Sequence, residues 1–313
     1  MRAMVFAAGL GTRLRPMTDV LPKPVVPLFH RPLCWFALDH LRRADVTDVV
    51  LNTHHLAARV EEAVASAPRI DGLTVRFAHE PTLLGTGGGV KHAIGLQSRA
   101  LGRELADDDV VLAFNGDISF APDLHAAIAT HRATNAIATM IVREDPAAAR
   151  YGAIELDEER VVRRMLATPD GTLRATMFTG VHVLSGRALR ELPDEGCIVQ
   201  RGYLPWLARG ARIGAHVERA AWRDLGTPRE YVAAHLDVIR GALAWPGIDP
   251  ARDAVHPSAS LGARVALHET TVGAGARIED GVTLERCVVW PGTRVTESAR
   301  DLVLLGAHRV SAV

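Results

Sequence analysis

The hexapeptide Gly9-Leu10-Gly11-Thr12-Arg13-Leu14, directly after the apolar run Ala3 to Ala8, has the makings of an anion site. Glycine removes the Cβ that keeps a ligand off the main chain, and successive amides in such a turn form a concavity for phosphate. Arg13 adds a planar donor fork that matches phosphate oxygens. The loop is not a P-loop, because no Gly-Lys-Ser/Thr follows, and not a dinucleotide fingerprint, because Leu14 replaces the last glycine. Glycine turns after strands are also ordinary loop chemistry, so the loop alone leaves both readings open. Further on, Lys23 lies between Pro22 and Pro24, which fix φ and stiffen the segment carrying the ammonium. Asn115-Gly116-Asp117 ends the run Val110 to Phe114. A carboxylate delivered at a strand end suits Mg²⁺, which keeps several waters and takes one or two carboxylates plus phosphates; the same turn also simply ends strands.

These residues must be positioned by a scaffold, and the hydrophobic pattern says which. Leu33, Phe36, Ala37, Leu41 and Ala44 recur at helical spacing, and Val49-Val50-Leu51 reads as a buried strand. Leu56, Val60, Ala63, Val64 and Ala67 form a second helical face, Thr74 to Phe77 a strand, and Asp109 to Asn115 another, with a helix expected from near Val90. This order predicts an α/β fold, a Rossmann-like, mostly parallel sheet with helices on both faces. Ligands gather at the carboxyl ends of such strands, where the Gly9 loop and Asn115 fall.

Composition bounds the rest. The 313 residues suffice for one large and one smaller domain. With 36 basic and 36 acidic residues no broad field favours nucleic acid, so no polynucleotide partner is expected. Cys34, Cys197 and Cys287 give neither a disulfide framework nor metal spacing, which points to a reducing cytoplasm. The apolar start is broken by Gly9 and Gly11, so neither a signal peptide nor a membrane span is read. His54 and His55 are adjacent and point different ways, which suits a helix start or packing better than a shared metal.

Past Trp245-Pro246-Gly247, read as a linker, the period changes. Aliphatic residues stand at Val255, Leu261, Leu267, Val272, Ile278, Leu284, Val289 and Val295, in steps of six, six and five. Three short strands per triangular coil of seventeen follow, with Gly262, Gly273, Gly281 and Gly292 at turns and fewer than four coils in all. The division predicted is 1–244 for the α/β domain and 245–313 for a parallel β-helix whose open end favours self-association.

Residues 4 to 32, from Met4-Val5-Phe6-Ala7-Ala8-Gly9 through Leu21-Pro22-Lys23-Pro24-Val25-Val26-Pro27 to Arg31-Pro32, resemble the signature of the sugar-1-phosphate nucleotidylyltransferases. The resemblance implies that Ala8, Gly9, Gly11 and Thr12 face the nucleotide and that Arg13 and Lys23 hold its triphosphate. Glu80-Pro81-Thr82-Leu83-Leu84-Gly85-Thr86-Gly87-Gly88-Gly89 resembles the family's base-facing segment, implicating Glu80, Gly85, Thr86 and Gly87. Asp117 corresponds to its first metal carboxylate, and Trp222 to Pro228 looks like the later metal segment, giving Asp224 as the second ligand of Mg²⁺. Tyr151-Gly152 and Phe178-Thr179-Gly180 look like the strands beside the sugar phosphate, implicating Asn115, Gly152, Thr179 and Gly180. Where many members carry Glu-Lys-Pro, this chain has Ala167-Thr168-Pro169. Arg150, Arg163, Arg164 and Arg174 are candidates to replace that lysine, or form a solvated face.

The reaction implied is in-line attack of a sugar-1-phosphate oxygen on the α-phosphorus of an NTP, with pyrophosphate leaving and neither a covalent intermediate nor a general base required. The absent lysine and the base loop lean towards the branch that includes N-acetylmuramate-1-phosphate uridylyltransferases. The C-terminal extension leans towards mannose-1-phosphate guanylyltransferases, the first expectation here, with a left-handed β-helix making a homo-oligomer. Other expectations to be weighed are a non-catalytic nucleotide-sugar-sensing subunit, a β-helix acyltransferase using His256, His268 or His308, and a dinucleotide oxidoreductase, which the missing third glycine opposes.

Overall fold

Arg2–Phe6 form β1, the strand from which a nine-stranded sheet spreads both ways. The structure, a computed structural model, describes residues 1–313 apart from Ala147 and Pro246, with the side chains of Arg150 and Tyr151 also outside the described residues. The other strands are β2 (Asp48–Thr53), β3 (Thr74–His79), β4 (Val110–Asn115), β5 (Ala138–Arg143), β6 (Ile154–Leu156), β7 (Val162–Met165), β8 (Arg174–Ser185) and β9 (Ile213–Val217). Their order is β7-β6-β8-β4-β1-β2-β3, with β5 on β8 and β9 on β5.

The half from β4 to β3 is parallel, as the β-α-β-α pattern predicts. Met4 of β1 pairs with both Val50 and Ala113. Its side chain enters the core under α3 (Gly85–Leu101), while Ala3 and Val5 enter the core under α1 (Cys34–Arg43), α2 (Ala57–Ser66) and α4 (Leu124–Thr134). A strand buried on both faces reads as a continuous apolar run, which is why β1 was legible. The other half departs from a parallel design. β8 runs antiparallel to β4, β5 and β6, and β7 is antiparallel to β6, leaving β9 on β5 as the parallel pair there. Within β8, Phe178 pairs with Val142 but Val181 with Ile141, so Thr179 and Gly180 are extra residues in a bulge, with Gly180 at φ 91°.

Two further differences concern local structure. The helix expected near Val90 begins at Gly85, so the glycines are its first turns rather than a loop before it. Trp245, expected in a linker, is buried and packs on Phe36 with ring centroids 4.1 Å apart. Gly247, also in that segment, accepts a hydrogen bond from Arg31 at 2.6 Å, and Pro246 lies outside the described residues.

The C-terminal strands stack as three faces of a β-helix. Ser260 pairs with Arg277 and Arg277 with Arg294, the expected step of 17; Leu284 pairs with Ala299 and Val288 with Val303, so the last coil is two residues shorter. Val272, Ile278, Leu284, Val289 and Val295 fill its interior. His308–Ser311 folds back antiparallel on Leu302–Leu305, so on this face the chain pairs its own last coil. The outer side packs on the rest of the molecule: Val288, Trp290, Val303 and Leu305 share a core with Phe36 and with Tyr231 and Val238 of α5 (Pro228–Ile239).

Candidate active site

The glycine loop leaves β1 at its carboxyl end, and each glycine has a separate reason to be there. A Cβ on Gly9 would meet nothing within 4 Å, so its openness faces the cavity; one on Gly11, at φ 62°, would lie 2.9 Å from Lys23 and Thr18. Gly11 therefore makes the close turn that lets Lys23 pass beneath it. Arg13 lies over Gly226, where any side chain would sit 2.8 Å from the guanidinium. Phe6, Ala8, Gly9, Gly11, Thr12, Arg13 and Lys23 line a cavity of about 380 Å³, together with Asn52, Glu80, Leu83, Gly85, Thr86, Asn115, Asp117 and Gly226. This is the size and polarity of a small-molecule site.

Lys23 is the pivot of the charges. Its Nζ lies 2.7 Å from Asp117 Oδ2 and 3.2 Å from Asp224 Oδ1, and Arg13 Nη2 lies 3.2 Å from Asp224 Oδ2. Asp117 follows β4, while Asp224 arrives on the short strand Trp222–Asp224, which pairs antiparallel with Ile118–Phe120 and sets Asp224 against Ile118. That ribbon is the device that brings two distant carboxylates together. The Lys23 side chain is 7% exposed and Arg13 67%, so the lysine is the desolvated cation and the arginine the solvated one. Two carboxylates on one nitrogen are an all-oxygen donor pair within reach of a single ion, which fits Mg²⁺ better than a softer metal. No cluster of three or more His, Cys, Asp or Glu ligands exists among the described residues, so any such ion completes its shell from substrate and water.

In the segment expected to face the base, Gly85, Gly87 and Gly88 are packed against other backbone. Cβ atoms on Gly85 and Gly88 would lie 2.7 Å and 2.3 Å from the carbonyl oxygens of Gly196 and Asp194, and the Gly87 N–H already donates to Gly196 O at 2.8 Å. Thr86 Oγ1 accepts from the Ile198 N–H at 2.9 Å. Close packing of segment 194–198 on the start of α3 therefore accounts for these glycines, and the Gly87 amide is spent. Gly85 and Thr86 still line the cavity, as does Glu80; Gly87 does not.

The acceptor side separates into members and non-members. Asn115 lines the cavity, and Gly180 packs against it, a Cβ there falling 2.7 Å from Asn115 Nδ2. Thr179 is fully buried, its hydroxyl donates to Ile141 O at 2.7 Å and its carbonyl accepts from Trp222 Nε1 at 2.7 Å, so its side chain has no role at the cavity. Gly152, at φ 83°, lies against Leu166 and outside the cavity lining. The candidate arginines are occupied: Arg163 by Asp157, Arg164 by Asp170 and the buried Glu155, and Arg174 by Glu144. Arg164 holds the Asp170 carboxyl well below its ordinary range. The Arg150 side chain lies outside the described residues, and Thr168 is exposed away from the lining.

His54 bonds the Glu80 carbonyl through Nδ1 at 2.8 Å, a helix-start packing role. His256 bonds Ser258 at 2.8 Å and lies by His30, remote from the cavity. Phe6, Leu83 and Gly226, which fall inside the motifs without an expected role, and Asn52, which falls outside them, also line the cavity. Asn52 alone carried a signal, a polar residue closing the run Val49-Val50-Leu51 at a ligand edge.

Against known families, residues 2–241 match the model of the nucleotidyl transferase family. The chain is 31% identical over 301 residues to the mannose-1-phosphate guanylyltransferase of Mycobacterium tuberculosis, covering 94% of this chain and 80% of that one. It is 28% identical over 314 residues to the UTP–glucose-1-phosphate uridylyltransferase of Synechocystis, covering 91% and 76%. Among solved structures, HddC from Yersinia pseudotuberculosis complexed with GMP-PN superposes with a TM-score of 0.60 at 24% identity, covering 74% of this chain and 97% of that chain, a likeness of fold.

Proposed function

Since the chain belongs to the nucleotidyl transferase family, we propose that its cavity joins an NTP to a sugar 1-phosphate, with guanylyl transfer to mannose 1-phosphate as the leading pair. It is an enzyme of sugar-1-phosphate nucleotidyl transfer, a class that its relatives share. The observation that carries the reading is Lys23 Nζ set between Asp117 and Asp224 beside the Gly9 to Arg13 loop. An oxygen of the sugar phosphate attacks the α-phosphorus in line, a new P–O bond forms, and the bond to the β-phosphate breaks to release pyrophosphate. Arg13 and Lys23 offset negative charge on the triphosphate, the loop amides seat its oxygens, and Asn115 with Gly180 borders the acceptor. Asp117 and Asp224 would hold Mg²⁺, which supplies charge neutralisation and orientation when bound. The attacking phosphate is already an anion at neutral pH, so none of the chain's side chains must act as a base.

Glu80 supports guanine over uracil. Its carboxylate borders the cavity with each oxygen accepting one bond, from Asn52 and from the Leu84 N–H, and lone pairs remain. Guanine offers adjacent N–H donors to a carboxylate, whereas uracil offers one N–H between two repelling carbonyls. The uridylyl reading remains the alternative. We further propose the division 1–244 and 245–313, self-association through the β-helix, and a cytoplasmic setting; no helix among the described residues is long and apolar enough to cross a membrane.

Pyrophosphate release from four NTPs against mannose-, glucose-, N-acetylglucosamine- and N-acetylmuramate-1-phosphate, with Mg²⁺, tests the proposal. The expected maximum is GTP with mannose 1-phosphate. A blank matrix would overturn catalysis and favour a sensing subunit.

A further inference from the structure

A line of buried polar groups runs beneath the cavity and ties together the two segments a nucleotide would touch. The Ala7 N–H donates to Asn52 Oδ1 at 2.7 Å, Asn52 Nδ2 donates to Glu80 Oε1 at 2.8 Å, and the Leu84 N–H donates to Glu80 Oε2 at 3.0 Å. Ala7 opens the glycine loop, and Leu84 caps the amino end of α3. Asn52 is 3% exposed and Glu80 1%. Gly89 closes the other side: a Cβ there would lie 3.0 Å from Glu80 Oε1 and 3.1 Å from Asn52 Nδ2, so the pair has no room to swing towards the helix.

The sense of each bond calls at position 52 for a side chain that accepts on one side and donates on the other, which an amide does at every pH. Ala7 presents a donor and needs an acceptor, while the Glu80 carboxylate presents acceptors and needs a donor. A carboxylate at 52 would satisfy Ala7 and repel Glu80, and a leucine would satisfy neither. Unpaired groups in so dry a place are costly, so the loss falls on the position of both neighbours.

We propose that Asn52 is a positioning residue for the nucleotide: it fixes the Glu80 carboxylate at the base and the start of the glycine loop at the phosphates as one unit. The inference rests on the nucleotidyl-transfer reading and on Glu80 facing the base. It assigns to one buried amide the coupling between recognition of the base and seating of the triphosphate.

Asn52→Asp and Asn52→Leu test it, with transfer from GTP and from UTP followed against pH and GTP binding followed by calorimetric titration on the same proteins. In Asn52→Asp two carboxyls a hydrogen bond apart share a proton at low pH, and one of their pKa values is raised. As pH climbs through that value the shared proton leaves and the two groups repel. The expected result is a fall in kcat/KM for GTP of about tenfold or more between about pH 6 and pH 9, relative to the native chain. The fall enters through KM for the NTP, leaves KM for the sugar phosphate unchanged, and narrows the preference for GTP over UTP. Asn52→Leu should bind GTP weakly at every pH. A native pH profile and base preference in Asn52→Asp overturns the proposal, as does an equal loss for every NTP that merely follows the folded fraction. If the native chain transfers nothing, the transfer reading fails; the binding titration still decides on Asn52, and pH-independent native affinity in Asn52→Asp overturns it.

Discussion

The Lys23 ammonium makes two carboxylates tolerable side by side, so its removal should show up as a metal requirement before it shows up anywhere else. In Lys23→Gln, Asp117 and Asp224 face each other with only Arg13 to offset them, and like charges so placed repel. The expected outcome is a lower melting temperature without Mg²⁺ and a larger rise on adding Mg²⁺ than in the native chain, read by thermal unfolding at several Mg²⁺ concentrations. Asp117→Asn or Asp224→Asn should instead lose turnover by at least about a hundredfold, since a metal carboxylate is gone, with the fold kept. Pyrophosphate release and circular dichroism separate those effects, and near-native turnover would remove the metal assignment. Gly9, Arg13, Lys23, Asn115 and Asp117 were legible because charge and loop chemistry are carried by residue type at strand ends. Thr179 was not, because whether a hydroxyl faces a ligand or a neighbouring carbonyl depends on the strand beside it.

Among the elements, α3 and α5 start by different means, and each start can be tested. Thr227 caps α5 by accepting from the Glu230 N–H at 3.2 Å, with Pro228 in the first turn. Thr227→Ala should therefore cost about 1 kcal/mol by denaturant unfolding, while Thr227→Ser should cost little. The start of α3 depends on close backbone approach, so Gly88→Ala, with its Cβ 2.3 Å from Asp194 O, should destabilise the chain by more than an ordinary helical Gly to Ala change would gain. A glycine run looks the same in sequence whether a ligand or another piece of backbone comes near, so the packing of Gly85 to Gly88 on segment 194–198 is not legible there. The parallel strands β1, β2 and β4 were plain from their double burial. The direction of β8 was not, because an apolar run carries no sign of which way its partners run.

For the whole molecule, burial sets a pH limit. His131, His182 and His235 are interior, and burial pushes their pKa values down, to about 4 for His131 and about 3 for the other two. Unfolding frees them to bind protons near pH 6.5, so stability is full above that value and declines as pH falls towards the folded values. Urea midpoints between about pH 7 and pH 4 should show this fall, and His131→Asn should flatten it by about one proton. The seventeen-residue period of the β-helix was readable because each coil repeats the same three faces. Its closing hairpin, which breaks the period, was not. β8 joins the two halves of the main sheet, and its bulge holds two residues rather than one. Side chains along a strand alternate with a parity of two, so an even insert leaves Phe178 and Val181 on the faces that an unbroken strand would give them. Deleting Gly180 alone would therefore invert every side chain from Arg174 to Phe178, whereas deleting Thr179 and Gly180 together would preserve the facing and remove the kink beside Asn115 along with the Thr179 bonds to Ile141 and Trp222.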